Sequence, residues 1–164
     1  MSWNLSLPNQ SLSPEGANEV SIKLDQLLVD MQVFRQNIRT INWSPNIRPH
    51  FDLAPRVNQL YGLTAPGPEI VANRILELGH EPANSNSEVL MKASLQTKEE
   101  IRTYEEAIFV VIRNSHQLLK DVKEVFDTAA TYKDEKTMGM MQEFAQYLNH
   151  TIWLFTSLRA ARMN

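Results

Sequence analysis

The chain has 164 residues, 43% of them apolar, enough for one domain with a proper core. A net charge of −3 argues against a strongly basic protein that coats nucleic acid, and the absence of cysteine excludes disulfides, thiolate zinc sites and a cysteine nucleophile. No apolar run approaches the ~18 residues that a membrane span needs.

The first twenty residues, MSWNLSLPNQSLSPEGANEV, contain no Lys or Arg and no apolar stretch of the signal-peptide kind. Their Ser, Asn, Pro and Gly content reads as a flexible or surface-draped tail over 1–20, followed by a single domain over 21–162. No internal repeat is evident. A cysteine-free chain without a leader suits the cytoplasm.

The first long helix carries Leu24, Leu27, Leu28, Met31, Phe34, Ile38 and Ile41 on one stripe, with Asp25, Arg35 and Arg39 elsewhere. The second is weaker, with Leu53, Val57 and Leu60, then Val71, Ile75 and Leu78. Ala65-Pro66-Gly67-Pro68 lies between its halves, and an interior proline costs ~3 kcal/mol and removes a backbone donor. The helix therefore breaks or kinks there, either as a tolerated kink on an outer face or as a reshaping of whatever Glu69 and Asn73 line. Gly79 stands at the left-handed cap position that closes this helix.

A long connection runs from Glu81 to Gln96, and Ser85 with Glu88 opens a short helix inside it. Thr97 with Glu100 has the spacing of a capping box and predicts the start of the third long helix. Ile101, Tyr104, Ile108, Val111, Ser115, Leu118, Val122, Val125 and Ala129 form a seam in steps of three and four, and Met141, Ala145, Leu148, Ile152, Phe155 and Leu158 repeat it in the last helix. The order predicts an all-α fold, a ferritin-like four-helix bundle with a short extra helix in the long connection between the second and third long helices.

Three separated stretches, LLVDMQVFRQNIRTINW, NRILELGHEP and TIWLFTSLRA, fall in the order and at the spacings of the Dps family of mini-ferritins. The chain resembles that family over residues 22–160. The resemblance implies a homo-oligomeric, dodecameric shell that takes up iron, with the iron site shared between two subunits. The family's first helix usually ends in aromatic-His-Trp, and here the tripeptide is Ile41-Asn42-Trp43. Aligned without gaps, the family's remaining ligand places hold Ala54, Asn58, Glu69 and Asn73, so that only Glu69 keeps a carboxylate. Ferrous iron needs carboxylate or imidazole donors, whereas an amide oxygen is neutral and weak and Ala54 offers nothing. Polar residues at 42, 58, 69 and 73 suggest a cluster that satisfies itself by hydrogen bonding without metal.

His50, one turn before Ala54, is a candidate replacement ligand, though beside Pro49 at a helix start it also reads as a capping residue. Glu77 and His80 have a ligand-like spacing but sit at a helix end, and His116 and His150 read as ordinary packing or surface residues. The resemblance also implies a ring of acids at a three-fold pore, for which Asp134, Glu135 and Glu143 stand here while Gly139 takes the place of an expected acid. Asp134 and Glu135 read equally as charges complementing a helix N-terminus. DNA binding in the family rests on basic tails. The first twenty-two residues here have no basic residue and the C-terminus offers Arg159 and Arg162, so little DNA affinity is expected.

Three functions follow as expectations. The first is a Dps-like shell subunit, iron-related, whose ferroxidase site is degenerate. The second is an active mini-ferritin that oxidises ferrous iron with peroxide or oxygen through substituted ligands such as His50 and Glu69. The third is a metal-free helical scaffold that partners an authentic Dps subunit.

Overall fold

Ser13-Pro14-Glu15-Gly16 carries a complete helix-start signal: the Ser13 hydroxyl accepts the Gly16 N–H at 3.1 Å, Pro14 occupies the first helical position, and Glu15 adds charge to the first turn. A computed structural model describes residues 12–163 and places six helices among them: α1 Pro14–Asn42, α2 Ala54–Leu63, α3 Pro66–Glu77, α4 Asn86–Lys92, α5 Tyr104–Thr131 and α6 Glu135–Met163. The tail expected over 1–20 is corrected accordingly. Within it Ser13 and Pro14 are a helix start and Gly16 a packing contact: a Cβ on Gly16 would lie 2.7 Å from the Tyr132 ring, and Val20 is fully buried. Residues 1–11 of that tail lie outside the described residues.

The apolar stripes on α1, α5 and α6 meet in one core, with α5 against α6, α1 against α5, and the α2–α3 pair against α1. This is the four-helix bundle expected from the pattern. The second long helix is divided between α2 and α3, and α4 lies in the long connection. Thr64 and Ala65 at the division keep right-handed helical torsions. The Tyr61 carbonyl next to the prolines is taken by the Arg35 guanidinium at 3.0 Å and the Thr64 hydroxyl at 2.8 Å. The break is not confined to an outer face, because Gly67 approaches the Met31 sulfur of α1.

The long connection runs parallel to α1 and is hydrogen-bonded to its polar flank. Asp25 accepts the Ala83 N–H, Asp30 the Leu95 N–H and Asn37 the Lys98 N–H, while the Ser44 hydroxyl donates to the Ile101 carbonyl. This explains a second correction. The third long helix does not start at Thr97, because Leu95, Gln96 and Lys98 spend backbone groups on α1 and Ile101 its carbonyl on Ser44 just beyond it. The next Thr-x-x-Glu takes over: Thr103 accepts the Glu106 N–H at 3.1 Å, and Glu106 reaches back to the Arg102 N–H at 3.0 Å. Thr103→Ala is expected to lower stability by ~1 kcal/mol in urea denaturation. A Thr97→Ala change that cost as much would show that the cap had been misplaced.

Ser85 caps α4 through the Glu88 N–H, and Gly79 adopts φ +83° at the end of α3, both as the sequence predicted.

Candidate functional site

α1 ends at Asn42, and α2 begins beside it. The Asn42 side-chain amide donates to the Asn58 side-chain oxygen at 3.4 Å, bridging the two helices at the place where a His and an acid were looked for. Ala54, one turn earlier on α2, is half-buried and presents only a methyl group. Glu69 and Asn73 lie one turn apart on α3, and both are exposed. Asn58 is on α2 and Glu69 on α3, on opposite sides of the division at Thr64 and Ala65. One chain therefore brings Asn42 and Asn58 together and leaves Glu69 and Asn73 apart from them on α3. Among the described residues no three His, Asp or Glu side chains of one chain are grouped to hold a metal ion.

His50 is directed elsewhere. Its ring meets the Tyr104 ring edge-on at 5.1 Å, and the Arg162 guanidinium lies 3.4 Å from its Nδ1. Arg162 also stacks on the Tyr104 ring at 4.0 Å, and the Tyr104 hydroxyl donates to Asp52 at 2.8 Å. Burial, and then the neighbouring Asp52, push the Tyr104 hydroxyl up to about 12, while that same hydrogen bond lowers Asp52. A guanidinium against the imidazole disfavours a second cation there. The cluster ties the C-terminus of α6 to the start of α5.

The acids looked for at a pore divide into two kinds. Glu135 and Glu143 are exposed on α6. Asp134 is only 4% exposed, and its two oxygens accept from Arg74 Nη2 at 2.9 and 3.0 Å. It also accepts the Thr137 N–H at 3.1 Å, capping α6. Asp134 is thus removed from the expected pore set, because burial and pairing with Arg74 leave no free negative field to draw in a cation. Glu77 belongs to the same cluster. Lys136 at 2.6 Å and Arg74 at 2.9 Å hold its carboxyl below the usual range, so it is not available with His80 as a ligand pair.

A second polar device was missed in the sequence. Asp30 of α1 and Asp121 of α5 are both buried, at 0% and 4% exposure. Each accepts from the glutamine one turn before it, Gln26 to Asp30 and Gln117 to Asp121, both at 2.9 Å. One Asp121 oxygen has no donor. Burial, and then the charge of Asp30, push the Asp121 carboxyl up to about 8, so Asp121 keeps a proton at neutral pH, and a protonated oxygen needs no donor. The available signal was the recurrence of a glutamine one turn before an aspartate, Gln26-Leu-Leu-Val-Asp30 and Gln117-Leu-Leu-Lys-Asp121. The two helices run antiparallel, with Lys23 beside Glu124 and Asn37 beside Asn114, and this registers the two copies of the pattern.

No family model matches the chain. It is 26% identical over 137 residues to an uncharacterised protein of Haemophilus influenzae, covering 84% of this chain and 86% of that one. It is also 26% identical over 134 residues to a DNA protection during starvation protein of Porphyromonas gingivalis, covering 82% and 84%. The crystal structure of the Dps protein from Vibrio cholerae O1, described as a member of a broad superfamily of ferritin-like diiron-carboxylate proteins, aligns with a TM-score of 0.85 at 21% identity over 90% of this chain and 92% of that one. At that identity the likeness is one of fold.

Proposed function

From a chain that carries the Dps-type ferritin-like fold and is similar in sequence to Dps proteins, we propose an iron-related shell subunit whose intersubunit ferroxidase site is degenerate. The observation that carries this reading is the Asn42–Asn58 amide pair. Two neutral amides joined by one hydrogen bond, beside the methyl of Ala54, supply neither the charge nor the basicity that a ferrous ion needs on its way to ferric. Glu69 and Asn73 from a second copy would add a single carboxylate. The donor set therefore does not suit a pair of oxidising irons, and no oxidation step is assigned to it.

The rest of the proposal follows the family pattern. The chain forms a homo-oligomer, a dodecameric shell in the cytoplasm, and handles iron by binding or storage with Glu135 and Glu143 as the exposed acids of α6. DNA affinity is low, consistent with a first segment that has no Lys or Arg before Lys23. No helix among the described residues is long and apolar enough to cross a membrane.

Ferrous iron added to the metal-free protein tests this directly. The expected ferric absorbance rises no faster than in a protein-free control, while size exclusion gives a large particle. Acceleration at substoichiometric iron would sink the degenerate site and favour an active mini-ferritin. Recovery from the native cell only as a mixed particle with another Dps chain would replace the homo-oligomer by the scaffold reading.

A further inference from the structure

The outer flank of α5 and the connection beside it enclose a groove of about 320 Å³ that the iron-related reading does not use. Lys98, Arg113, His116 and Lys120 line it, and among the described residues no carboxylate does. On a chain with net charge −3 this concentration of positive charge is unusual, and among the described residues none of the four side chains pairs with an acid. Nearby cations of the same molecule are neutralised: Lys123, one turn from Lys120, pairs with Asp127 at 2.5 Å, and Lys92, in the connection before Lys98, pairs with Glu88 at 2.7 Å.

The groove wall is held in place. Leu95 is pinned by its N–H to Asp30, and Lys98 by its N–H to Asn37 and its carbonyl to the Thr40 hydroxyl, so the Lys98 backbone is anchored while its ammonium stays free. Two amides also line the groove and are themselves held in place, Gln117 by donating to Asp121 and Asn114 by accepting from Asn37. At the rim Phe109 is 53% exposed, with the Arg113 guanidinium 5.9 Å from its ring centroid. Like charges held together without acids repel one another, and an incoming anion relieves that repulsion at several side chains at once. Three permanent cations exceed the charge of a single carboxylate or chloride and suit a compact anion with several charged oxygens.

We propose that this groove binds a compact polyphosphate anion, either inorganic or carried on a nucleoside, with Lys98, Arg113 and Lys120 on the phosphate oxygens. A nucleoside would add its flat ring against Phe109 at the rim. The site is independent of the iron-related reading.

Titration calorimetry on the assembled full-length protein, at constant ionic strength, tests it with sodium pyrophosphate and with ADP as probes. Saturable binding of one anion per chain is expected. Lys98→Gln with Lys120→Gln should weaken it at least tenfold, and Arg113→Gln should do so independently, with helix content and particle size unchanged. Lys123→Gln, outside the groove, should leave the affinity within twofold. Tighter binding of ADP than of pyrophosphate, lost in Phe109→Ala, would assign the nucleoside form, and equal binding the inorganic one. Absence of saturable binding by either probe, or binding that survives the groove substitutions, would overturn the proposal. So would a short DNA duplex that binds through the same three side chains and is not displaced by pyrophosphate, since the groove would then belong to an extended polyanion surface.

Discussion

Arg74→Leu should destabilise the protein by ~3–5 kcal/mol in chemical denaturation, because it leaves the Asp134 carboxylate buried without its countercharge. The arrangement is dense. Asp134 is 4% exposed and Arg74 9%; one guanidinium nitrogen spans both Asp134 oxygens, Nε donates to the Thr137 hydroxyl at 2.9 Å, and Nη1 reaches Glu77. These contacts join the end of α3 to the start of α6, so the change also loosens the corner at which the second and fourth long helices meet. The double variant Arg74→Leu with Asp134→Asn removes the stranded charge and should recover much of the loss, since the amide can still accept the Thr137 N–H. A single-variant cost below ~1 kcal/mol, typical of an exposed pair, would show that water reaches Asp134 freely.

Asp121→Asn should flatten the fall in stability between mildly acidic and alkaline pH. An unfolded Asp121 titrates near its ordinary 3.8, whereas the folded one titrates at about 8. Between those values the folded state holds a proton that the unfolded state has lost. Stability is therefore greatest, with respect to this group, below about pH 4, and falls as pH rises through the window by at most ~1.4 kcal/mol per unit. Asp52 and Glu77, whose carboxyls are lowered, have the opposite sign and lose their contribution only in acid, so they do not mask an effect measured between pH 5 and 9. In the Asn variant the Nδ2 group takes the place of the protonated Asp121 oxygen, and the amide oxygen still accepts from Gln117. Urea midpoints at pH 5 and 9 should converge, with the variant more stable than the parent at pH 9. A variant that retains the parent's slope would place the titrating group elsewhere.

The architecture was largely legible because its signals are local. Steps of three and four along α5, Ser85 three residues before Glu88, and Gly79 where only a left-handed residue closes the helix each report on a few neighbouring residues. The errors arose where a local signal was duplicated or ambiguous. Thr97-x-x-Glu100 and Thr103-x-x-Glu106 are equivalent as patterns, and only the hydrogen bonds from Asp30, Asn37 and Ser44 to the connection decide which becomes the cap. Ser13-Pro14 reads as loop by composition and as helix start by position, and packing of Gly16 against Tyr132 supports the helix. At the candidate site, the identities of Asn42, Ala54, Asn58, Glu69 and Asn73 could be read directly, since donor chemistry belongs to the side chain. Their pairing could not, nor could the engagement of His50 with Tyr104 and Arg162.

By itself, then, the sequence determined the helices, their order and the side-chain types at positions 42, 54, 58, 69 and 73, because periodicity, capping and side-chain chemistry are properties of residues and their near neighbours. Tertiary structure alone decided which acids are charged and available. Asp30, Asp121 and Asp134 look like surface carboxylates in the chain, yet helix register seals the first two together and places the third against Arg74. Glu135 and Glu143 remain in solvent, and Lys98, Arg113 and Lys120 gather, among the described residues without an acid partner, beside a segment that the sequence reads as the start of the third long helix. Charge state and electrostatic field depend on desolvation and on distances between residues remote in sequence, and the fold supplies both.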